Sequence, residues 1–301
     1  MLTSVPELDQ ALLAAYGCDS AGGYLVVDDL SHPGWQRSRF FVLGAALTLE
    51  ARPERFCTGR FDLASGKSEP CPDRTELRGE AFEQCFACRR ATGFNPAFYN
   101  AEELSPQQQL RNLEPHLVYL AHFGGATLKV GMTHARRGIH RLLEQGARMG
   151  VLLVRFNDAY RARALEERIA RDLDILEAVR PARKRHLLGA PFSPDAVRAE
   201  LLTRVEQIRV LEPGIELRPE LLELDGYYGG SGLFERSFTD LTETEPLAIS
   251  GRCVGMIGDV LLAEQAGQRF MLSLGGALAR RVRIAPREQP NRMVGQMRLP
   301  F

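Results

Sequence analysis

Apolar and polar positions change period several times along the chain, and the changes divide it into parts. At the start, MLTSVPELDQALLAAYGC spaces its apolar residues as a short amphipathic helix. Two runs set between turn-prone residues, GYLVVDDL and SRFFVLGAALTLE, predict strands. Residues 101–115, AEELSPQQQLRNLEP, are polar and proline-bounded and read as a connector. LVYLAHF and ATLKVGM are short apolar runs separated by Gly124 and Gly125, which predicts a hairpin. The spacing then predicts a helix from about Ala135 to Ala147, a strand in VLLVRFND, and a helix from Tyr160 to about Ala178 stopped by Pro181. SPDAVRAELLTRVEQIRVL opens with Ser193 as an N-cap and Pro194 at the first helical position. From about Leu221 onward the pattern becomes glycine-punctuated strands: LAISGRCVGMIG, VLLAEQ, QRFMLSLGG and ARRVRI.

These elements predict an α+β fold in three parts. Residues 1–110 form a β-rich segment, 111–212 a β-β-α-β-α module extended by one helix, and 213–301 a β-rich module. A chain of 301 residues is long for one core and comfortable for two or three modules. An apolar fraction of 45% with 25% charged residues excludes wholesale disorder. No apolar run approaches the roughly 20 residues of a membrane span. The N-terminus lacks a basic start and a cleavage-like end, so the expectation is a cytoplasmic protein with reduced thiols.

Formal net charge is zero, but it is unevenly spread. Residues 129–189 hold 14 Lys or Arg against 7 Asp or Glu, and the remainder is acidic by the same amount. A basic middle suits an anionic partner such as nucleic acid, and solvated helical faces are the plainer alternative.

Four of the six cysteines fall in one segment, FCTGRFDLASGKSEPCPDRTELRGEAFEQCFACRR. Cys85 and Cys88 have the C-x-x-C spacing that lets two thiolates grip a tetrahedral metal. Cys57 precedes Gly59 and Cys71 precedes Pro72, both turn-prone places. Soft thiolates in a reducing compartment select zinc, so Cys57, Cys71, Cys85 and Cys88 are the expected ligands of a structural site. A redox pair at Cys85 and Cys88, or buried cysteines acting as small apolar residues, are the alternatives. Cys18 and Cys253 read as core.

The middle module carries the candidate chemistry. On the 160–178 helix Glu166 lies within the apolar stripe and Glu167 points away from it. A carboxylate on a buried face is paired, hydrogen-bonded or metal-bound, and an ion pair with a neighbouring arginine is the plainer reading. Lys129 is one of only three lysines and sits inside an apolar run, as a cation beside a phosphate or a snorkelling strand residue. Tyr119 is either a site residue or core with its hydroxyl bonded. Arg141 competes with Arg136 and Arg137.

Together these residues resemble the GIY-YIG nuclease superfamily over roughly 115–180. LVY at 117–119 stands for GIY and KVG at 129–131 for YIG, with Thr133 following. RLLEQ at Arg141 resembles the arginine helix, and ALEERI with Glu166 resembles the glutamate helix. Leu117 replaces the family's first glycine, and Lys129 its second tyrosine. The four-cysteine front and glycine-rich tail look closest to an uncharacterised bacterial family of GIY-YIG-like proteins. The resemblance implies metal-dependent phosphodiester hydrolysis on DNA or RNA. Glu166 would hold Mg²⁺ or Mn²⁺, Tyr119 with Lys129 lowering its pKa would activate water, and Arg141 would neutralise phosphoryl charge. His134 and His140 are auxiliary candidates. A non-cleaving nucleic-acid-binding protein and an enzyme acting on a small nucleotide or metabolite are the alternatives.

Overall fold

The computed structural model describes residues 4–289 other than 80 and 96. Four strands open the chain: β1 (Leu8–Asp19), β2 (Gly22–Asp29), β3 (Gln36–Phe41) and β4 (Ala46–Phe56). The cysteine segment holds three two-residue strands, β5 (Arg60–Phe61), β6 (Ser68–Glu69) and β7 (Glu76–Leu77), and the helix α1 (Phe86–Thr92). After α2 (Pro106–Asn112) come β8 (His116–His122), β9 (Leu128–His134), α3 (Gly138–Gln145), β10 (Met149–Phe156) and α4 (Ala159–Asp172). The helices α5 (Pro181–Leu187) and α6 (Pro194–Leu211) lead to β11 (Glu220–Glu223) and α7 (Asp225–Tyr228). The chain closes with β12 (Thr239–Asp240), β13 (Ala248–Ile257), β14 (Val260–Gln265), β15 (Gln268–Ser273) and β16 (Arg280–Ala285). The fold is α+β, with several sheets.

Strands from both ends of the chain share the large sheet, in the order β12-β15-β14-β13-β4-β16-β1-β2-β3, with β7 on β4. β16 is inserted between β1 and β4, so Ile284 pairs with Leu8 on one side and Leu49 on the other. β1–β4 and β12–β16, from the two outer parts of the chain, therefore share one sheet, with a core built on Leu13, Leu25, Phe40, Leu49, Ile249 and Leu272. The N-terminal helix expectation is corrected, because those residues form β1. Ala11, Leu12, Leu13 and Ala14 are all buried, and a strand covered on both faces carries a continuous apolar run with no period of its own. Its backbone partners, β2 and β16, decide the outcome.

The second sheet, β11-β10-β8-β9, is antiparallel throughout. One face, with Val118, Leu120, Val130 and Val151, packs on Leu165 and Ile169 of α4 and Leu201 and Val205 of α6. The other face carries Tyr119 and Ala121 into a core shared with Leu142 and Leu143 of α3 and Ile257 and Leu262 of the large sheet. The hairpin turn lies at Gly124 and Gly125, as the sequence predicts. Two helix boundaries are corrected. α3 runs only from Gly138 to Gln145, ended by Gly146 in the left-handed region. α4 stops at Asp172 rather than Ala178, and Asp174 turns the chain with φ 52°. The strand-like stretch beyond it runs back along the edge of β9, where the N–H of Val130 donates to the Leu176 carbonyl at 2.9 Å. Pro181 accordingly starts α5. The connector 101–115 contains α2, capped by Ser105. Ser193 caps α6 with Pro194 in its first turn. Among the described residues no helix is long and apolar enough to cross a membrane.

Candidate functional site

The four cysteines of the N-terminal segment meet at one point. The sulfurs of Cys57, Cys71, Cys85 and Cys88 all lie within 4.8 Å of one another, and all four are free thiols. Cys57 follows the end of β4, and its Sγ accepts the N–H of Gly59 at 3.4 Å and of Cys85 at 3.2 Å. Gly59 has φ +85°, and a Cβ there would meet the Glu69 carbonyl oxygen at 1.9 Å, so this turn admits only glycine. Cys85 is the N-cap of α1, which places Cys88 on the first turn facing inward. Burial raises the Cys57 thiol to about 11, against the two N–H groups that favour its thiolate, and burial also raises Cys88. A divalent cation reverses that penalty, because thiolates bind it and thiols do not. The cluster is therefore compatible with a structural metal site. Cys18 and Cys253 are buried apart from it, in the two sheet cores.

All four predicted residues of the middle module line one cleft of about 240 Å³: Tyr119, Lys129, Arg141 and Glu166. β8 supplies Tyr119, β9 Lys129, α3 Arg141 and α4 Glu166. Tyr119 is 1% exposed and pairs across the ladder with Gly131. A Cβ at Gly131 would fall 2.3 Å from the Tyr119 hydroxyl, so the glycine of KVG is the space the tyrosine ring occupies. Gly131→Ala is expected to cost about 1–3 kcal/mol of stability, read as a lower urea midpoint. An unchanged midpoint would mean that the ring is free to move aside.

The structure gives each of these residues definite partners. Gln145 donates to the Tyr119 hydroxyl at 2.6 Å, and burial raises the phenol's pKa despite Arg141 and Gln145 beside it. The Lys129 Nζ donates to the Glu177 carbonyl oxygen at 2.7 Å. Tyr119 is thus held as a buried hydrogen-bonding group whose phenol pKa burial pushes up. Lys129 is 8% exposed, and burial lowers it to about 8, with Glu166 opposing the shift and Arg141 adding to it. Glu166 is buried and paired: Oε1 accepts the Met132 N–H at 3.1 Å and Oε2 accepts Arg163 at 2.8 Å. Met132 lies on the edge strand β9, so Glu166 satisfies an otherwise open strand donor. Burial raises its pKa, with Arg163 and Lys129 opposing.

The expected Mg²⁺ or Mn²⁺ does not fit this donor set. Both oxygens of Glu166 are engaged, and its charged neighbours in the cleft are the cations Lys129, Arg141 and Arg163. Among the described residues, the four thiols are the one group of three or more side chains placed to hold a metal. His134 also lines the cleft, with Nε2 bonded to Glu114 at 2.5 Å, whereas His140 is exposed on α3. Arg141 is partly exposed and stands 3.8 Å from Glu144.

Sequence reasoning missed Arg163, Gln145 and the demand made by Thr133. Arg163 sits three residues before Glu166 on the same helical face, a spacing that signals the pair. Gln145 carries no signal beyond its place on α3. Thr133 lines the cleft and is 5% exposed, and its buried Oγ1 has no hydrogen-bond partner, an unmet demand of about 1–3 kcal/mol.

A family model described as "protein of unknown function (DUF2797)" matches residues 101–266, more than half of the chain. No curated protein and no solved structure matches it. The resemblance to GIY-YIG nucleases is overturned by this match, which spans every residue that carried it and indicates a different family. A β-β-α-β-α order with a buried helical glutamate is common architecture and does not fix a family.

Proposed function

The chain belongs to the DUF2797 family, and for it we propose that the central cleft binds nucleic acid by seating a backbone phosphate against Lys129 and Arg141. The observation that carries this is the buried Lys129 ammonium, whose hydrogen-bond partner is a neutral carbonyl oxygen. An ammonium held in low dielectric gains most from an anion, and a phosphate supplies both charge and acceptor oxygens. Thr133, whose buried hydroxyl has no hydrogen-bond partner, lines the same cleft. The excess of Lys and Arg over residues 129–189 supplies the wider positive field. Glu166 holds Arg163 and the β9 edge in place and takes no part in hydrolysis, so binding without cleavage is the reading supported.

Anion binding favours protonated Lys129, whose pKa in the free protein is about 8. Affinity is therefore full below about pH 8 and falls as pH rises through it, by up to about tenfold per pH unit. Fluorescence anisotropy of a labelled oligonucleotide at pH 7 and pH 9 tests this. Wild type is expected to weaken at pH 9, and Lys129→Ala to bind weakly at both. Equal affinity at both pH values for wild type would contradict the role of Lys129.

The same proposal assigns zinc to the four thiolates. Zinc–sulfur bonds of about 2.3 Å place tetrahedral sulfurs about 3.8 Å apart, within the spread seen for this cluster. Thiolate softness favours zinc over magnesium or calcium, and a reducing, cytoplasmic setting keeps the thiols available.

A further inference from the structure

We propose that the cleft takes an unpaired base together with the phosphate, so that single-stranded nucleic acid is its ligand class. This rests on the phosphate-binding reading above and adds a second, separate contact. The cleft has an aromatic wall: Phe94 is 57% and Tyr99 43% exposed, and both line the cavity that holds Lys129 and Arg141. Large rings left in water beside a cationic floor match the two surfaces of a nucleotide, an apolar base face and an anionic backbone.

The wall is held in place before any ligand arrives. α1 ends at Gly93, whose carbonyl accepts the Ser105 hydroxyl at 2.6 Å. The Asn95 N–H donates to Gln108 Oε1 at 3.0 Å, and Gln108 in turn donates to Asn112 at 2.6 Å. Gln108 and Asn112 are buried, so α2 grips the loop from beneath. Tyr99 packs edge-on against Phe98 at 5.6 Å and carries Arg163 over its ring at 4.2 Å. Arg163 is the residue that Glu166 fixes, so the aromatic wall and the cationic floor are braced against each other.

This arrangement discriminates by strandedness. Stacking needs a free π-face, which an unpaired base offers and a duplex hides within its own stack. A cleft of about 240 Å³ also admits a single base and not a double helix. Because every base has a π-face, the contact is tolerant of sequence.

The test is anisotropy with matched single-stranded and duplex oligonucleotides, on the full chain. Wild type is expected to prefer the single strand. Phe94→Ala and Tyr99→Ala are each expected to weaken single-strand binding about 5- to 150-fold, and Phe94→Trp to preserve it. Both rings are exposed, so these variants keep the fold, which circular dichroism checks. If Lys129→Ala abolishes binding while the aromatic variants bind as wild type, or if duplex binds equally well, the stacking inference falls and the phosphate reading stands. If wild type binds neither oligonucleotide, both fall.

Discussion

Lys129→Met is expected to make the protein more stable at pH 7 while weakening its ligand binding. Burial holds the Lys129 ammonium at about 8 against an ordinary 10.5, a difference of about 2.5 pH units or about 3 kcal/mol. Loss of the hydrogen bond to the Glu177 carbonyl returns about 1 kcal/mol, which leaves a net gain of about 2 kcal/mol. The pH dependence has a definite sign. The folded pKa lies below the unfolded one, so the unfolded chain binds the proton more tightly between about pH 8 and 10.5. The penalty is present in full below about pH 8 and is relieved as pH rises through that window. Urea unfolding of both proteins at pH 7 and near pH 10.5 should therefore show the midpoints converging. A less stable Lys129→Met, with a gap that does not change with pH, would show that the ammonium is already satisfied in the folded protein. A buried charge kept at this cost has a use outside stability, and Arg141 beside it in the cleft points to an anion.

Removal of the proposed zinc is expected to have the larger structural effect. The segment from Cys57 to Thr92 holds two-residue strands and one short helix around a small core of Leu77, Ala279 and the cysteines themselves. So little apolar burial does not fix a segment of this length, and a structural zinc contributes on the order of 10 kcal/mol in isolated modules. Cys88→Ser, or chelation of wild type, is expected to release the proposed zinc and lower stability by several kcal/mol (on the order of the loss of a structural metal). Hydrogen exchange should localise the change: the Arg89 amide, bonded to the Cys85 carbonyl at 2.9 Å, loses protection, while β8 and β10 keep theirs. Mass spectrometry of native wild type should show one zinc per chain. Metal-free wild type with full protection of the Arg89 amide would overturn the assignment.

The sequence made much of this legible where the signal was local. The β13–β16 strands and the Ser193-capped α6 carry periodicity and punctuation of their own. The cysteine cluster was visible because C-x-x-C is a local spacing and the other two cysteines sit beside turn residues. β1 was misread because a strand buried on both faces loses its alternation, leaving an apolar spacing that also suits a helix. The insertion of β16 between β1 and β4 was invisible, since pairing partners more than 200 residues apart leave no mark on either segment. At the site, periodicity marked Glu166 as buried, and its neighbour Arg163 was legible at helical spacing yet passed over. The ion-pair reading of Glu166 is the one the structure shows. Lys129 was legible by its rarity in an apolar run, but its carbonyl partner belongs to a stretch that the sequence extended as helix. Phe94 and Tyr99 lie in a loop, where exposed rings have no period to betray a shared wall.

The central claim is that Lys129 and Arg141 hold a nucleic-acid phosphate. The most direct test is the affinity of wild type and Lys129→Met for one single-stranded oligonucleotide across a range of salt concentrations at pH 7. Wild type should show log affinity falling linearly with log salt, and Lys129→Met should bind more weakly with a slope shallower by about one phosphate contact. An identical slope and affinity in the two proteins, or no salt dependence in wild type, would contradict the claim.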